Sequence, residues 1–175
     1  MRFKQFRPRD IVWFARTGWL LVLIELRQRR VSLPRLVRSI DVEVPVRSAG
    51  DGEVKRIVWL VRAVLRRTYG DRFCMKQSLV LFHFLRSWGL PTRINFGVLK
   101  RNGRLTGHAW LELDGSPIAE AQNPRLIYNI VFQYPPVTDS EEKDEPGRER
   151  DPGAGGNSFG RRAEEGFCRA EAGTA

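Results

Sequence analysis

Residues 92–121 read TRINFGVLKRNGRLTGHAWLELDGSPIAEA, and this stretch decides the fold. Apolar and polar residues alternate along it, which is the period of a half-buried β-strand. The alternation breaks at Asn102-Gly103 and at Asp114-Gly115, and such dipeptides are the strongest short-range signals for hairpin turns. We therefore predict an antiparallel meander with strands over residues 92–99, 105–113, 117–121 and 126–133.

The sequence before residue 92 has the longer period of amphipathic helices. We predict helices over residues 11–30, 53–69 and 74–88, and a short helix that begins near Pro34. Gly70 ends the 53–69 helix, and a Gly-Leu-Pro sequence stops the last one. Helices followed by an antiparallel meander are typical of an α+β domain.

The first predicted helix carries an apolar stripe with a spacing of three or four residues. We expect this stripe to pack inside the protein, rather than against a membrane or a partner. Its members are Ile11, Phe14, Ala15, Gly18, Trp19, Val22, Leu23 and Leu26. We likewise expect the tryptophans outside the meander to lie in the core; they are Trp13, Trp19, Trp59 and Trp88.

Charge divides the 175 residues into two parts. Residues 1–138 hold 24 basic and 10 acidic residues, whereas residues 139–175 hold 6 basic and 10 acidic residues together with 7 glycines. A segment of that composition buries too little apolar surface to offset the entropy of ordering it, so we predict a disordered acidic tail. We divide the remainder into a helical lead-in, residues 1–50, and a core domain, residues 51–138.

The basic excess of residues 1–138 has three interpretations. The commonest is a solvated surface, and a more specific one is an acidic partner that the basic surface attracts. Nucleic acid ranks third, because the arginines are dispersed among helices and are not interleaved with aromatic residues on strands. We expect no nucleic-acid partner.

The two cysteines, Cys74 and Cys168, are too few for a disulfide framework or a closed metal site, which favours a reducing, cytoplasmic setting. We interpret Cys168 as a bystander in the tail. The uncharged apolar run over residues 17–24 is shorter than the about 20 residues that cross a bilayer, so no transmembrane helix is expected. Charge-rich residues 25–30 follow without a signal-peptide cleavage site, so we expect the N-terminus to be retained. No phosphate loop or dinucleotide motif is present, and no cofactor is expected.

Cys74 opens the fourth predicted helix, and this position suits a nucleophile. Unsatisfied backbone amides and the helix dipole stabilise a thiolate there and lower a cysteine's pKa from its ordinary value of about 8.5. The thiolate needs a base partner. His83 lies in the same helix, about 13.5 Å away along the axis, and we interpret it as structural. His108, on the second predicted strand, is the candidate.

A third residue should accept the other imidazole N–H and hold the ring in place. Glu112 lies on the same strand face but about 13 Å from His108, which is too far. Glu120 reaches His108 if the loop over residues 114–116 has three residues, whereas a two-residue turn flips the alternation and points Glu120 away. The alternative acceptors are Gln122 and Asn123.

These motifs carry a resemblance to a known family. They read CMKQSLVL over residues 74–81, GLP over 89–91 before FGV over 96–98, GHAWLE over 107–112 and DGSPIAE over 114–120. Together they resemble the transglutaminase-like cysteine protease of lasso-peptide biosynthesis, over roughly residues 10–135. The resemblance implies a papain/transglutaminase-like α+β fold and a metal-free triad of Cys74, His108 and Glu120, where the family more often has Asp as the acid. We place Trp110 in the substrate-binding cleft.

The resemblance also implies a function and partners. It implies a leader peptidase that cuts a ribosomally made lasso precursor, so that an ATP-dependent macrolactam synthetase can cyclise the core peptide. Fused members carry a winged-helix domain that binds the leader, whereas the residues before Cys74 resemble the lead-in of the stand-alone protease. A separate winged-helix protein for leader recognition is therefore implied. Two alternatives stay open: transglutaminase-type acyl transfer, and a non-catalytic module that binds the precursor.

Overall fold

The computed structural model describes residues 8–42, 44–45, 50–70, 73–101 and 103–136. Over these ranges four helices precede four strands, in the α+β order predicted, which is confirmed. The helices are α1 (Pro8–Gln28), α2 (Leu33–Ile40), α3 (Asp51–Tyr69) and α4 (Cys74–Ser87). The strands are β1 (Thr92–Arg101), β2 (Arg104–Leu113), β3 (Ser116–Ile118) and β4 (Asn129–Tyr134), with a 3₁₀ helix at Pro124–Leu126.

The strands form one antiparallel sheet in the order β3-β2-β1-β4. The hairpin between β2 and β3 closes with Leu113 opposite Ser116, so its loop has two residues. Asp114 and Gly115 have φ angles of 50° and 75°, and positive φ at both central positions is the signature of the type I′ turn that an Asp-Gly pair favours. The three-residue loop considered from the sequence is therefore wrong.

The two faces of the sheet have different neighbours. Ile94 and Phe96 of β1 lie opposite Leu111 and Ala109 of β2, and all four are buried in the main hydrophobic core with α4. The alternate residues point to the other face, where Asn95 lies opposite Trp110 and Gly97 lies opposite His108. The sheet thus holds His108 on the face that the core does not use.

The side of α1 that was predicted to face the core is wrong. Leu20, Leu21 and Ile24 are buried in the core, whereas Trp19 and several other members of the predicted stripe are exposed. Helix α1 carries apolar residues around most of its circumference, so their spacing alone does not say which side packs. Trp59, also predicted in the core, is exposed on α3.

A buried ion pair fixes the direction in which α1 packs. Asp10, near the start of α1, is almost fully buried, and Arg56 of α3 donates to both its carboxylate oxygens, at 2.8 and 2.7 Å. A buried carboxylate without such a partner would be costly. The pair therefore holds the Asp10 side of α1 against α3.

Two strand boundaries differ by three residues from those predicted, and the others by two residues or fewer. The third strand ends at Ile118 instead of residue 121, and the last begins at Asn129 instead of residue 126. The acidic tail, residues 139–175, lies outside the described residues. Among the described helices, none combines the length and the apolarity that a bilayer crossing needs.

Candidate active site

Helix α4 begins at Cys74, which is half-buried. The first backbone amides of a helix have no intrahelical acceptors, and their partial positive charge stabilises an anion at this end. A thiolate at Cys74 therefore gains from its position in the chain. Cys74 is disulfide-bonded in the structure, so the thiol chemistry discussed below is that of the reduced protein.

A buried hydrogen bond holds the start of α4 beside the middle of β2. The hydroxyl of Ser78, one helical turn after Cys74, donates to the carbonyl of Ala109 at 2.9 Å. Ala109 directly follows His108 in the chain. The bond therefore fixes the position of the first turns of α4 along strand β2, next to His108.

His108 and Glu120 form a hydrogen-bonded pair. His108 Nε2 lies 3.2 Å from Glu120 Oε2, and the two side chains are only 15% and 14% exposed. Because Glu120 bonds Nε2, Nδ1 is the ring nitrogen left for another partner, and the Cys74 thiol as that partner stays a prediction. An acid bonded to one imidazole nitrogen fixes the tautomer and the direction of the ring.

A left-handed residue brings Glu120 to His108. With the two-residue turn, a regular third strand would point Glu120 away from His108, as the sequence analysis anticipated. The strand instead ends at Ile118, and Ala119 has a φ of 63°, which turns the chain back. The contact thus forms despite the two-residue turn.

Arg62 of α3 holds this left-handed turn in place. Its Nη2 donates to the carbonyl oxygen of Ala119, and its Nε donates to Oε1 of the buried Gln77 at 3.1 Å. Gln77 lies in α4, three residues after Cys74. One guanidinium therefore links the helix that begins with Cys74 to the turn that carries Glu120.

Two aromatic rings stack near the imidazole. The ring of Tyr128 lies 5.2 Å from that of His108, at an interplanar angle of 30°, and the ring of Trp110 lies 6.0 Å away at 14°. The room for them comes from Gly97, opposite His108, where an added Cβ would lie 2.7 Å from Tyr128 Cβ and 2.9 Å from Trp110 Cζ3. Tyr128 and Trp110 thereby restrict the movement of the imidazole.

A buried carboxylate anchors the same face. Glu112 is 1% exposed; it accepts bonds from Arg125 Nε at 2.6 Å, Arg125 Nη2 at 2.9 Å and Trp110 Nε1 at 3.0 Å. Burial alone would raise the pKa of Glu112, but the hydrogen bonds from Arg125 and Trp110 and the charge of Arg125 outweigh it and hold this pKa below its ordinary value. Arg125 lies in the connection that also carries Glu120 and Tyr128, so this ion pair ties that connection to β2.

Residues 19–133 match the sequence profile of the Transglutaminase-like superfamily. The chain belongs to this superfamily. The match extends from the middle of α1 into β4 and includes Cys74, His108 and Glu120. No curated protein and no solved structure matches the chain significantly.

The superfamily includes cysteine proteases and acyltransferases, and the chemistry common to both uses a cysteine nucleophile. Within the described ranges, no cluster of three or more His, Cys, Asp or Glu side chains is placed to bind a metal ion. The structure brings His108 and Glu120 into hydrogen-bond contact, and it places Cys74 at the start of a helix packed on the His108 strand. The catalytic roles of these three residues stay predictions.

Of the other residues singled out from the sequence, Asn123 and His83 have hydrogen-bond partners. Asn123 caps the 3₁₀ helix by accepting from the Arg125 amide at 3.1 Å, Gln122 is exposed, and His83 Nδ1 lies 2.8 Å from the Ile40 carbonyl. Trp110 is fully buried against His108, a packing position, and its predicted substrate contact stays a prediction.

Sequence reasoning missed Tyr128, Arg125 and Arg62. The alternation of β2 does place Trp110 and Glu112 on the face of His108, and a buried glutamate on such a face calls for a cationic partner. The sequence therefore indicated that Glu112 has a cationic partner. It did not identify Arg125 as that partner, because Arg125 lies in an irregular connection. It did not indicate Arg62 either, because Arg62 bonds Ala119 from a different helix.

Proposed function

We propose that this superfamily member is a cysteine peptidase in which Cys74 is the nucleophile, His108 the general base and acid, and Glu120 the residue that orients His108. The observation that carries the proposal is the 3.2 Å bond between His108 Nε2 and Glu120 Oε2, which leaves Nδ1 for the thiol. The position of Cys74 at the start of α4 supports it.

The proposed mechanism gives each of these residues one role. His108 takes the thiol proton, and the Cys74 thiolate attacks the carbonyl carbon of the scissile amide. The backbone N–H of Cys74 is a candidate donor to the resulting oxyanion. His108 then gives its proton to the leaving amine as the C–N bond breaks, and a thioester remains. Water, deprotonated by His108, hydrolyses the thioester, releases the carboxylate product and restores the thiol.

The finer part of the proposal is the substrate. The motifs around Cys74, His108 and Glu120 resemble those of lasso-peptide leader proteases, so we propose that the substrate is a lasso precursor cut between its leader and its core. A separate winged-helix protein would present the leader, and an ATP-dependent synthetase would cyclise the released core. The basic surface of residues 1–138 suits an acidic leader or carrier.

Cleavage of a lasso precursor peptide tests this function. The reduced protein is incubated with the peptide, alone and with a leader-binding winged-helix protein, and the products are read by mass spectrometry. We expect two fragments whose masses sum to that of the peptide plus one water. Cys74→Ala should abolish cleavage, and Cys168→Ala, the matched control, should leave the rate unchanged.

Two outcomes would contradict the proposal. Cleavage by Cys74→Ala at the wild-type rate would remove the nucleophile. Formation of an amide adduct with an added primary amine, in place of the hydrolysed product, would show that the acyl-enzyme serves transfer and not proteolysis.

A further inference from the structure

Helix α1 has an apolar face that the described part of the structure leaves exposed to solvent. Five large apolar side chains on it are 51–67% exposed; they are Ile11, Val12, Trp19, Val22 and Leu26. Five of the exposed apolar residues of α1 recur every three or four positions and so share one side of the helix; they are Ile11, Ala15, Trp19, Val22 and Leu26. These five residues are called the open face below, and they extend over about 22 Å at 1.5 Å per residue.

The exposed charged residues described on α1 and in the turn directly after it are all basic. Four exposed arginines lie on α1 or directly after it; they are Arg16, Arg27, Arg29 and Arg30. The two acids of α1 are both engaged elsewhere, Asp10 with Arg56 and Glu25 with Lys76 at 2.8 Å. The next helix, α2, adds two more exposed bases, Arg35 and Arg38. The surroundings of the open face therefore favour an anionic partner.

We propose that the open face binds an anionic lipid surface, with α1 lying parallel to it. An interfacial helix typically combines Trp and aliphatic residues on one side with arginines beside them, which is the pattern of α1. The lipid headgroups would pair with the arginines, while Trp19 and its neighbours enter the boundary with the acyl chains. The helices of the described chain do not span a bilayer, and this contact requires no span.

Shape and charge argue against other occupants. The open face is the convex side of a single helix, so it offers no groove to a short peptide. If two copies of the chain paired through their open faces, the arginines of the two molecules would lie close together, and like charges repel. Before α1, the sequence adds three more bases, Arg2, Lys4 and Arg7, which increase the attraction to an anionic surface.

Co-sedimentation of the full chain with vesicles tests the proposal independently of any peptidase activity. We expect binding to vesicles of phosphatidylcholine with phosphatidylglycerol, weaker binding as salt is raised, and little binding to phosphatidylcholine alone. Trp19→Gln/Leu26→Gln should weaken binding by more than about tenfold, since burial of about two methylene groups already corresponds to that factor. Arg16→Gln/Arg27→Gln should weaken it by a similar factor at low salt.

The matched control is Leu105→Gln/Leu126→Gln, which removes two exposed leucines from the sheet half of the molecule and should bind as wild type does. Circular dichroism checks that all variants fold, as expected for exposed positions. The proposal is overturned if the wild-type chain stays in the supernatant, if it binds neutral vesicles equally well, or if Trp19→Gln/Leu26→Gln binds unchanged. It is also overturned if the chain forms a dimer that this double variant dissociates, because the open face is then a protein interface.

Discussion

At the scale of single residues, the imidazole of His108 is held by neighbours on three sides. Glu120 bonds its Nε2, and the rings of Tyr128 and Trp110 stack near it. The absent side chain of Gly97 is what lets the two aromatic rings approach the sheet this closely. Close packing of this kind restricts a catalytic group to one geometry before a substrate arrives.

Gly97→Ala should therefore disturb both stability and the candidate site. The new methyl would lie 2.7 Å from Tyr128 Cβ, and overpacking of this kind costs about 1–3 kcal/mol. We expect a lower urea midpoint and slower alkylation of Cys74, because Tyr128 must move away from His108. Gly18→Ala is the matched control: it lies in α1, where the new methyl has no atom within 4 Å apart from its chain neighbours and the adjoining backbone of its own helix, and it should be neutral or stabilising. Equal stability of Gly97→Ala and wild type would contradict this packing.

The buried pair of Glu112 and Arg125 predicts a pH dependence. The pKa of Glu112 is held below 4.5 in the folded protein, so its contribution to stability is present above about pH 4.5 and is lost as pH falls through the lower folded value. Arg125→Ala leaves a buried carboxylate unpaired and should cost about 3 kcal/mol near neutral pH. Urea unfolding as a function of pH measures both effects. Glu112→Gln should flatten the acid side of the stability profile, and an acid side identical to that of wild type would rule out this assignment.

At the scale of elements, the turn between β3 and the 3₁₀ helix decides where the acid lies. The alternation and the Asp-Gly pair predicted the hairpin, but nothing in the sequence predicted that β3 ends at Ile118. The reversal depends on the positive φ of Ala119, a conformation that alanine does not favour on its own. Arg62, distant in sequence, bonds the Ala119 carbonyl, and a local pattern cannot contain that information.

Arg62→Ala should loosen this turn and reduce the reactivity of Cys74. Without the guanidinium, neither the Ala119 carbonyl nor the buried Gln77 keeps its hydrogen-bond donor, so Glu120 is held less firmly against His108. We expect alkylation of Cys74 below pH 8 to slow by a few-fold, with a loss of about 1 kcal/mol in the free energy of unfolding. Arg66→Ala, an exposed arginine one turn further along α3, controls for the loss of charge. Equal alkylation rates for the two variants would exclude a positioning role for Arg62.

At the scale of the whole molecule, the sequence predicted the order of helices and strands but not the side on which α1 packs. Apolar residues occur on two sides of α1, and the buried pair of Asp10 with Arg56 selects one of them. From sequence alone, a charged residue in an apolar helix is assigned to the surface unless its partner is known. The side on which α1 packs could therefore not be predicted. The other apolar side is the open face.

The sequence also predicted the elements that carry the candidate site residues, a helix that begins at Cys74 and a strand that contains His108. The helix-start cysteine and the strand histidine follow from period and spacing, because both depend on local structure. The rest of the site, formed by Tyr128, Arg125 and Arg62, depends on contacts between residues far apart in the chain. Membership of the Transglutaminase-like superfamily, over residues 19–133, agrees with the predicted α+β fold.

The most direct test of the central claim is the rate at which iodoacetamide alkylates each cysteine of the reduced protein as a function of pH, read by peptide mass mapping. Cys168 is the internal reference. We predict that Cys74 reacts well below the ordinary thiol value of about pH 8.5, that Cys168 does not, and that His108→Ala removes the difference. If both cysteines of the wild-type protein react with the same profile near pH 8.5, Cys74 and His108 do not form a thiolate–imidazole pair, and the chain is not a cysteine peptidase of the proposed kind.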